Sequence, residues 1–418
     1  MSGTAEAHSR YVANLSGRRT RGLVWRLVFV AATTVAIVAL TALLVTIVNQ
    51  SFGMVALVNT VEPASLARDR VALGDLPHEQ LVTTLEENVS RGLMRRFEFE
   101  KPLAERSRDE VLQLITERVV DPSVVRAWSL LDTIFRRGDI VDEAAREFPT
   151  SVVVFRSWLS GHLISRPQSS LPEDAGVRTA ILGSLWTILI TILFAFPVGV
   201  AAAIYLEEYA EDTRLNRVIQ TNINNLAGVP SIVYGMLGLA VFVRALEAFT
   251  SGSLFGAADE AGANGRTIIS AGLTLGLLIL PVIIINTQEA LKAVPDSLRQ
   301  SSYGVGATKW QTIRGHILPV SVDRILTGTI LAISRAIGET APMVVVGAST
   351  FVTVDPNGPF SKFTTLPIQI YQWTARPQAE FRNAAAAGIL VLLLLLLTLN
   401  ATAVVLRNRY VSKRTGSF

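Results

Sequence analysis

The sequence predicts an all-α integral membrane protein with six transmembrane helices and a mainly helical extracytoplasmic insert between helices 1 and 2. The 418-residue chain is 50% hydrophobic and only 17% charged, whereas an average soluble domain has about 25% charged residues. The charge is concentrated in residues 50–176, which hold 20 acidic and 15 basic side chains. Outside that block lie six apolar stretches of the length that a membrane-crossing helix needs, about 20 residues.

These apolar stretches set the predicted helix positions and divide the chain. Proline lies inside or at the edge of the third and fourth, where neighbouring helices can re-satisfy the freed carbonyl groups. The windows are Leu27–Val48, Ala180–Leu206, Leu226–Val243, Ile268–Ile285, Ile325–Val346 and Ala384–Leu406. The predicted divisions are a cytoplasmic tail (1–26), the first helix (27–48), the insert (49–176), a core with five helices (177–406) and a second cytoplasmic tail (407–418).

Composition and charge placement exclude several classes and predict the orientation. The high apolar content excludes an ordinary cytosolic enzyme and a disordered protein, and the absence of cysteine excludes a disulfide-stapled scaffold. The basic residues flank apolar stretches, which indicates membrane topology and no nucleic-acid partner. Both tails are basic and the number of predicted helices is even. We therefore expect a multi-pass protein of the bacterial cytoplasmic (inner) membrane with both termini in the cytoplasm and the insert outside.

The insert is predicted to be mainly helical. Leu81, Leu85, Val89 and Leu93 recur every four residues, and Ser107–Glu110 has the pattern of a capped helix start. It contains no metal, nucleophile or nucleotide motif. We therefore predict a structural or docking module.

Two ionisable residues in the fifth window indicate a functional site. Charged groups inside a membrane helix are costly and usually functional. Arg335 and Glu339 are four residues apart, which predicts one helix face and an ion pair, and Thr340 keeps the surroundings partly polar. A planar guanidinium suits phosphate-like oxygens, so we interpret the pair as part of an anion route. The alternative is a buried ion pair that fixes helix packing.

The segment 288–319 is too polar to cross the membrane. A short helix is predicted to start at Pro295–Ser297 and to end at Gly304 and Gly306, before Lys309 and Trp310. Such a helix suits protein docking beneath the membrane. The alternative is a solvated connector.

This segment resembles the EAA loop of binding-protein-dependent ABC importer permeases, the MetI-like family. The resemblance rests on Gln300-Ser301-Ser302, on Gly306 after three residues, and on the Leu318-Pro319 end. Gln-Ser-Ser stands in place of the family's Glu-Ala-Ala. The resemblance implies the type I ABC importer permease fold, in which this loop is the coupling helix that docks into a cytoplasmic ATPase.

Further stretches are similar to the phosphate-specific importers, and in particular to their A-type permease subunits. They are Val200–Ala210 (VAAAIYLEEYA), Gly228–Gly235 (GVPSIVYG), Ala290–Arg299 (ALKAVPDSLR) and Arg335–Met343 (RAIGETAPM). The similarity covers about residues 177–410. It implies import of inorganic phosphate, with Arg335 and Glu339 in the substrate path and a coupling surface made of Gln300, Ser301, Ser302, Gly306, Lys309 and Trp310. Ser231 and Tyr234, beside Pro230, are our own addition to the path; the alternative is that their hydroxyls bond neighbouring helices.

The resemblance also implies partners. They are a homologous second permease, a homodimer of ATP-binding subunits and an extracytoplasmic phosphate-binding protein. The sequence has no G-x4-G-K-[ST] motif, and its four histidines are scattered. We therefore expect a non-catalytic subunit without metal or cofactor, with ATP and Mg bound by the partner ATPase. The alternatives are a permease for sulfate, molybdate or phosphonate, and a membrane-anchored sensor.

Overall fold

The structure is a computed structural model that describes residues 15–68, 71–100, 102–172, 174–256, 264–348 and 351–415. The predicted tails 1–26 and 407–418 therefore lie partly outside the described residues. Helix α1 (Leu15–Ser51) contains the whole first predicted window. Its apolar side chains are exposed on nearly all sides, as expected of a helix that faces lipid.

A three-stranded antiparallel sheet begins directly after α1, and the sequence analysis did not predict it. Its strands are β1 (Phe52–Asn59), β2 (Pro122–Ala127) and β3 (Val152–Ser157), in the order β2-β1-β3. β1 pairs with both neighbours, with Val58 opposite Ser123 and Met54 opposite Phe155. The strands are rich in valine, whose branched side chain favours a pleated sheet. They are only six to eight residues long. Such short strands give a weaker sequence pattern than the helical stripes of the same insert.

The rest of the insert is helical, as predicted. The stripe at Leu81 and Leu85 is buried against Val111 and Ile115. Ser107 and Glu110 form a capping box, so the predicted helix start is confirmed. The helices are α2 (His78–Asn88), α3 (Arg91–Glu100), α4 (Arg108–Ile115), α5 (Leu130–Phe135), α6 (Arg137–Glu147) and α7 (Gly161–Ser165), with 3-10 turns at Pro63–Leu66, Leu73–Asp75 and Leu103–Glu105.

The membrane core consists of long apolar helices and several short ones. Helix α8 continues into a π-helical turn at Tyr205–Tyr209, and α10 continues into another at Leu239–Ala245. The helices are α8 (Arg178–Ile204), α9 (Arg214–Leu226), α10 (Ser231–Gly238), α11 (Glu247–Thr250), α12 (Ile268–Lys292), α13 (Asp296–Gly304), α14 (Lys309–Thr312), α15 (Leu318–Gly338), α16 (Ala341–Val346), α17 (Leu366–Thr374) and α18 (Glu380–Thr415). A 3-10 turn at Ser253–Phe255 and a π turn at Ile313–Ile317 complete the helical segments of the core.

The sheet of the insert packs on this core. Val55 of β1 and Trp158, next to β3, belong to one buried cluster with Trp373 of α17 and with Phe381 and Ala384 of α18. The insert is therefore joined to the membrane helices by shared apolar packing, while its own helices have a second core around Leu81.

Two of the six predicted membrane windows differ from the structure. Within the described residues, five helices are long and apolar enough to cross a membrane, or six if a bent pair counts as one span. That pair, α9 with α10 and its π turn, bends by 108° around Pro230, so the window Leu226–Val243 is not one straight helix. The window Ile325–Val346 is also interrupted, because α15 ends at Gly338 and α16 begins at Ala341.

Candidate functional site

Arg335 and Glu339 lie at the break between α15 and α16. The Nε atom of Arg335 is 3.4 Å from a carboxylate oxygen of Glu339, so the predicted contact is present. The Arg335 side chain is 51% exposed and that of Glu339 is 18% exposed. The arginine thus keeps part of its guanidinium free of the protein interior, whereas the carboxylate is largely enclosed.

The pair does not lie on one continuous helix face, which corrects our prediction. Glu339 follows the last residue of α15 and has an extended backbone with φ −74° and ψ 120°. Pro342, in the first turn of α16, has no N–H to donate to the Gly338 carbonyl four residues before it, and in a continuous helix its ring would clash with that carbonyl. The interrupted backbone is typical of polar sites in membrane transporters, where unwound segments line cavities.

The other predicted path residues have different environments. Thr340, at the break, precedes α16, and Ser231 is the first residue of α10. Tyr234 is buried in the same apolar cluster as Ala336, the residue after Arg335. Its hydroxyl donates to the Leu226 carbonyl at 2.8 Å and so stabilises the bend between α9 and α10. This is the alternative that we considered for the hydroxyl of Tyr234, and the bond leaves that hydroxyl only as an acceptor.

The predicted coupling segment forms two short helices joined by a tight turn. Helix α13 begins after Pro295, as predicted, and Gly306 adopts φ +82°, a conformation that favours glycine. Thr308 and Gln311 form a capping box that starts α14. The segment is therefore structured, and its role in docking stays a prediction.

Its predicted contact residues divide into exposed and buried ones. Gln300, Ser301, Gly306, Lys309 and Trp310 are exposed. Ser302 is buried, and its hydroxyl lies 2.8 Å from that of Thr312. Ser302 therefore holds α13 against α14 rather than facing a partner. Additional apolar side chains are exposed on this segment, which the sequence analysis did not single out: Leu298, Tyr303 and Val305.

A buried ion pair ties the coupling segment to the membrane core. Arg299 donates to a carboxylate oxygen of Glu208 at 2.8 Å, and their side chains are 17% and 6% exposed. Arg299 also donates to the carbonyls of Leu291 and Val294 at the end of α12. The hydrogen bond to Glu208 is the main cause that raises the pKa of Arg299. No short-range spacing links positions 208 and 299, so the sequence alone does not predict this pair.

Comparison with protein families identifies the core. The family described as "Binding-protein-dependent transport system inner membrane component" matches residues 195–412, more than half of the chain. The chain belongs to this family. The match includes both the coupling segment and the Arg335–Glu339 site, so the predicted resemblance to binding-protein-dependent permeases is confirmed.

Individual members of this family are clearly similar in sequence. The phosphate transport system permease protein PstA of Yersinia pestis is 36% identical over 232 residues, which are 55% of this chain and 72% of the relative. PstA 1 of Mycobacterium tuberculosis (strain H37Rv) is 34% identical over 264 residues, 61% of this chain and 79% of the relative. Inward-facing structures of the MetNI methionine ABC transporter align with 57% of this chain and 96% of theirs, at 19% identity and a TM-score of 0.40.

Proposed function

We propose that this member of the binding-protein-dependent inner membrane component family is a permease subunit that imports inorganic phosphate. The observation that carries the proposal is the half-exposed Arg335, paired with the enclosed Glu339 where α15 ends. A guanidinium presents several fixed donors to a tetrahedral oxyanion. The identity with proteins named as phosphate transport permeases supports phosphate as that anion.

The ion pair gives a simple mechanism for passage. Without substrate, Glu339 neutralises part of the charge of Arg335, which lowers the cost of a cation inside the membrane. An arriving phosphate competes for the guanidinium and leaves when the permease opens to the cytoplasm. The contact is a single one at 3.4 Å, so it is readily exchanged for a contact with the anion.

Energy reaches this site from a partner. We assign ATP hydrolysis, with ATP and Mg, to a separate pair of ATP-binding subunits that dock on α13 and α14, and no metal or cofactor to this chain. The exposed Val305 and Trp310 supply the apolar contacts that such docking needs. A homologous second permease completes the passage, and an extracytoplasmic binding protein delivers phosphate. Both termini are cytoplasmic in this arrangement, and residues 49–176 lie outside.

Uptake of radiolabelled phosphate by vesicles containing the assembled complex tests the proposal. Arg335→Ala and Arg335→Glu are expected to abolish uptake without changing assembly, and Glu339→Gln is expected to reduce it less, because only the arginine attracts the anion. Normal uptake by either Arg335 variant, or a greater loss with Glu339→Gln, would contradict these roles. Competition by unlabelled sulfate, molybdate or phosphonate measures selectivity, and stronger competition by one of them than by phosphate would reassign the substrate.

A further inference from the structure

A narrow cavity beside Glu339 is lined by hydroxyl groups that have no role in the site described so far. Ser184 and Thr187 of α8 contribute to its wall, as do Met343 of α16 and Thr365. The cavity has about the size of one water molecule in this conformation. Hydroxyl-bearing residues from two separate parts of the chain thus line the same cavity as Glu339, the residue that pairs with Arg335.

Thr365 is the lining residue of this cavity whose hydroxyl has no hydrogen-bond partner, although the residue is 95% buried. It occupies the position before the first turn of α17, where a threonine side chain normally accepts from the backbone of the new helix. Here that bond is not made, and Pro367 removes one of the N–H groups that would serve it. The hydroxyl is therefore available to a group that enters the cavity.

The other hydroxyls of the cavity are engaged. Ser184 accepts from the Leu366 N–H at 3.0 Å, and Thr187 donates to the Gly183 carbonyl at 2.8 Å. A buried polar group without a partner destabilises the folded protein, so a structural role would not require the hydroxyl of Thr365. Among the buried unpaired side chains of the described residues, Thr365 is the one that lines this cavity, so a ligand that enters the cavity can supply the acceptor.

The electrostatics of the cavity suit an anion that carries a proton. Thr365 precedes the nine-residue helix α17, whose N-terminus has a partial positive charge. The Thr365 hydroxyl can donate to an anionic oxygen. The carboxylate of Glu339, which would repel a bare dianion, accepts from a protonated one.

We infer that Thr365 is a further binding residue for the transported oxyanion, in addition to Arg335 and Glu339. The inference rests on the proposed phosphate route and adds a subsite to it. Because the cavity is closed to an anion in this conformation, it must widen during transport. The interruption between α15 and α16, at Glu339 and Thr340, forms one side of the site. Such a movement can occur there without disrupting a helix.

The experiment compares phosphate uptake by the assembled complex containing Thr365→Val, Thr365→Ser or Thr364→Val. Thr364→Val is the matched control: this adjacent hydroxyl is also buried and unpaired, but Thr364 does not line the cavity. Thr365→Val, which keeps the shape and removes the donor, is expected to lower kcat/KM for phosphate about tenfold or more, the effect of losing a hydrogen bond to a charged group. Thr365→Ser is expected to keep most of the activity.

Thermal unfolding of the same complexes separates a transport effect from a folding effect. Both valine variants are expected to unfold at the same temperature as the parent or higher, since each removes an unpaired buried hydroxyl. Uptake by Thr365→Val that equals uptake by Thr364→Val would overturn the inference, as would equal losses in the valine and serine variants. If Arg335→Ala still abolishes uptake in that case, the proposed function stands and only the subsite fails.

Discussion

Replacement of Arg299 by alanine tests how the coupling segment is attached to the membrane core. The change leaves the carboxylate of Glu208 buried without its cation, and it removes donors from the carbonyls of Leu291 and Val294. Breaking a buried ion pair by removing one partner costs about 3–5 kcal/mol. We expect this loss to act locally, because all these contacts join α13 to the adjacent ends of α8 and α12.

Amide hydrogen exchange measures this local effect directly. A loss of about 3–5 kcal/mol corresponds to exchange that is about 100 to several thousand times faster, up to the rate of the unprotected amide. We expect this acceleration across residues 296–304 and little change in the insert. Because α13 then no longer moves rigidly with the core, phosphate uptake should fall while ATP hydrolysis by the docked subunits continues.

Two further variants make the result specific. Arg314→Ala, at an exposed position of the same segment, controls for the loss of a positive charge and should leave exchange unchanged. Replacing both Arg299 and Glu208 by methionine removes the uncompensated charge and should restore most of the protection. Unchanged exchange in Arg299→Ala would refute the reasoning and would show that the apolar cluster around Leu291 and Ile313 holds the segment alone.

The remaining predictions concern docking and packing. Trp310→Ala, which removes an exposed aromatic side chain, should weaken binding of the ATPase subunits about tenfold or more in a co-purification titration. Phe99→Ala, which removes an exposed aromatic side chain of the insert, is the control and should not weaken it. Equal losses of binding in the two variants would contradict the docking surface. Gly183→Ala should destabilise the protein by about 1–3 kcal/mol in thermal unfolding, because its Cβ would lie 2.1 Å from the Thr364 carbonyl oxygen. Gly138→Ala, a helical glycine with open space around it, is the control and should be neutral or slightly stabilising; equal unfolding temperatures for the two would contradict the close packing.

Apolar length was sufficient to predict four of the six windows as single helices, because apolar composition over about 20 residues directly reflects the thickness of the lipid. The breaks were harder to predict. Pro230 is visible in the sequence, but the sequence does not show whether a proline kinks one helix or separates two. That outcome depends on the hydrogen bonds of the neighbouring residues. Here the Tyr234 hydroxyl stabilises the bend by donating to the Leu226 carbonyl. The break at Glu339 has the same character, since the local spacing of Arg335 and Glu339 is equally compatible with a helix.

The sequence predicts those parts of the candidate site whose residues lie close together along the chain. Arg335 and Glu339 stand four residues apart, and the coupling segment is one continuous stretch. By contrast, Arg299 meets Glu208 across 91 positions, and Thr365 and Ser184 line one cavity across about twice that separation. A single sequence contains no signal for such pairs, because their contact depends on how the helices pack.

The coupling surface and Arg335 are connected by one helical rod. From Lys309 the chain is helical without interruption to Gly338, through α14, the π turn and α15. The 25 residues from Trp310 to Arg335 span about 38 Å at 1.5 Å per residue, more than the hydrocarbon thickness of a bilayer. A helix is stiff along its axis, so a displacement imposed at Trp310 by the docked ATPase that we propose would be carried to Arg335. The helical segment ends three residues after Arg335, at the break before α16. The displacement would therefore be concentrated at the residues that we assign to the anion.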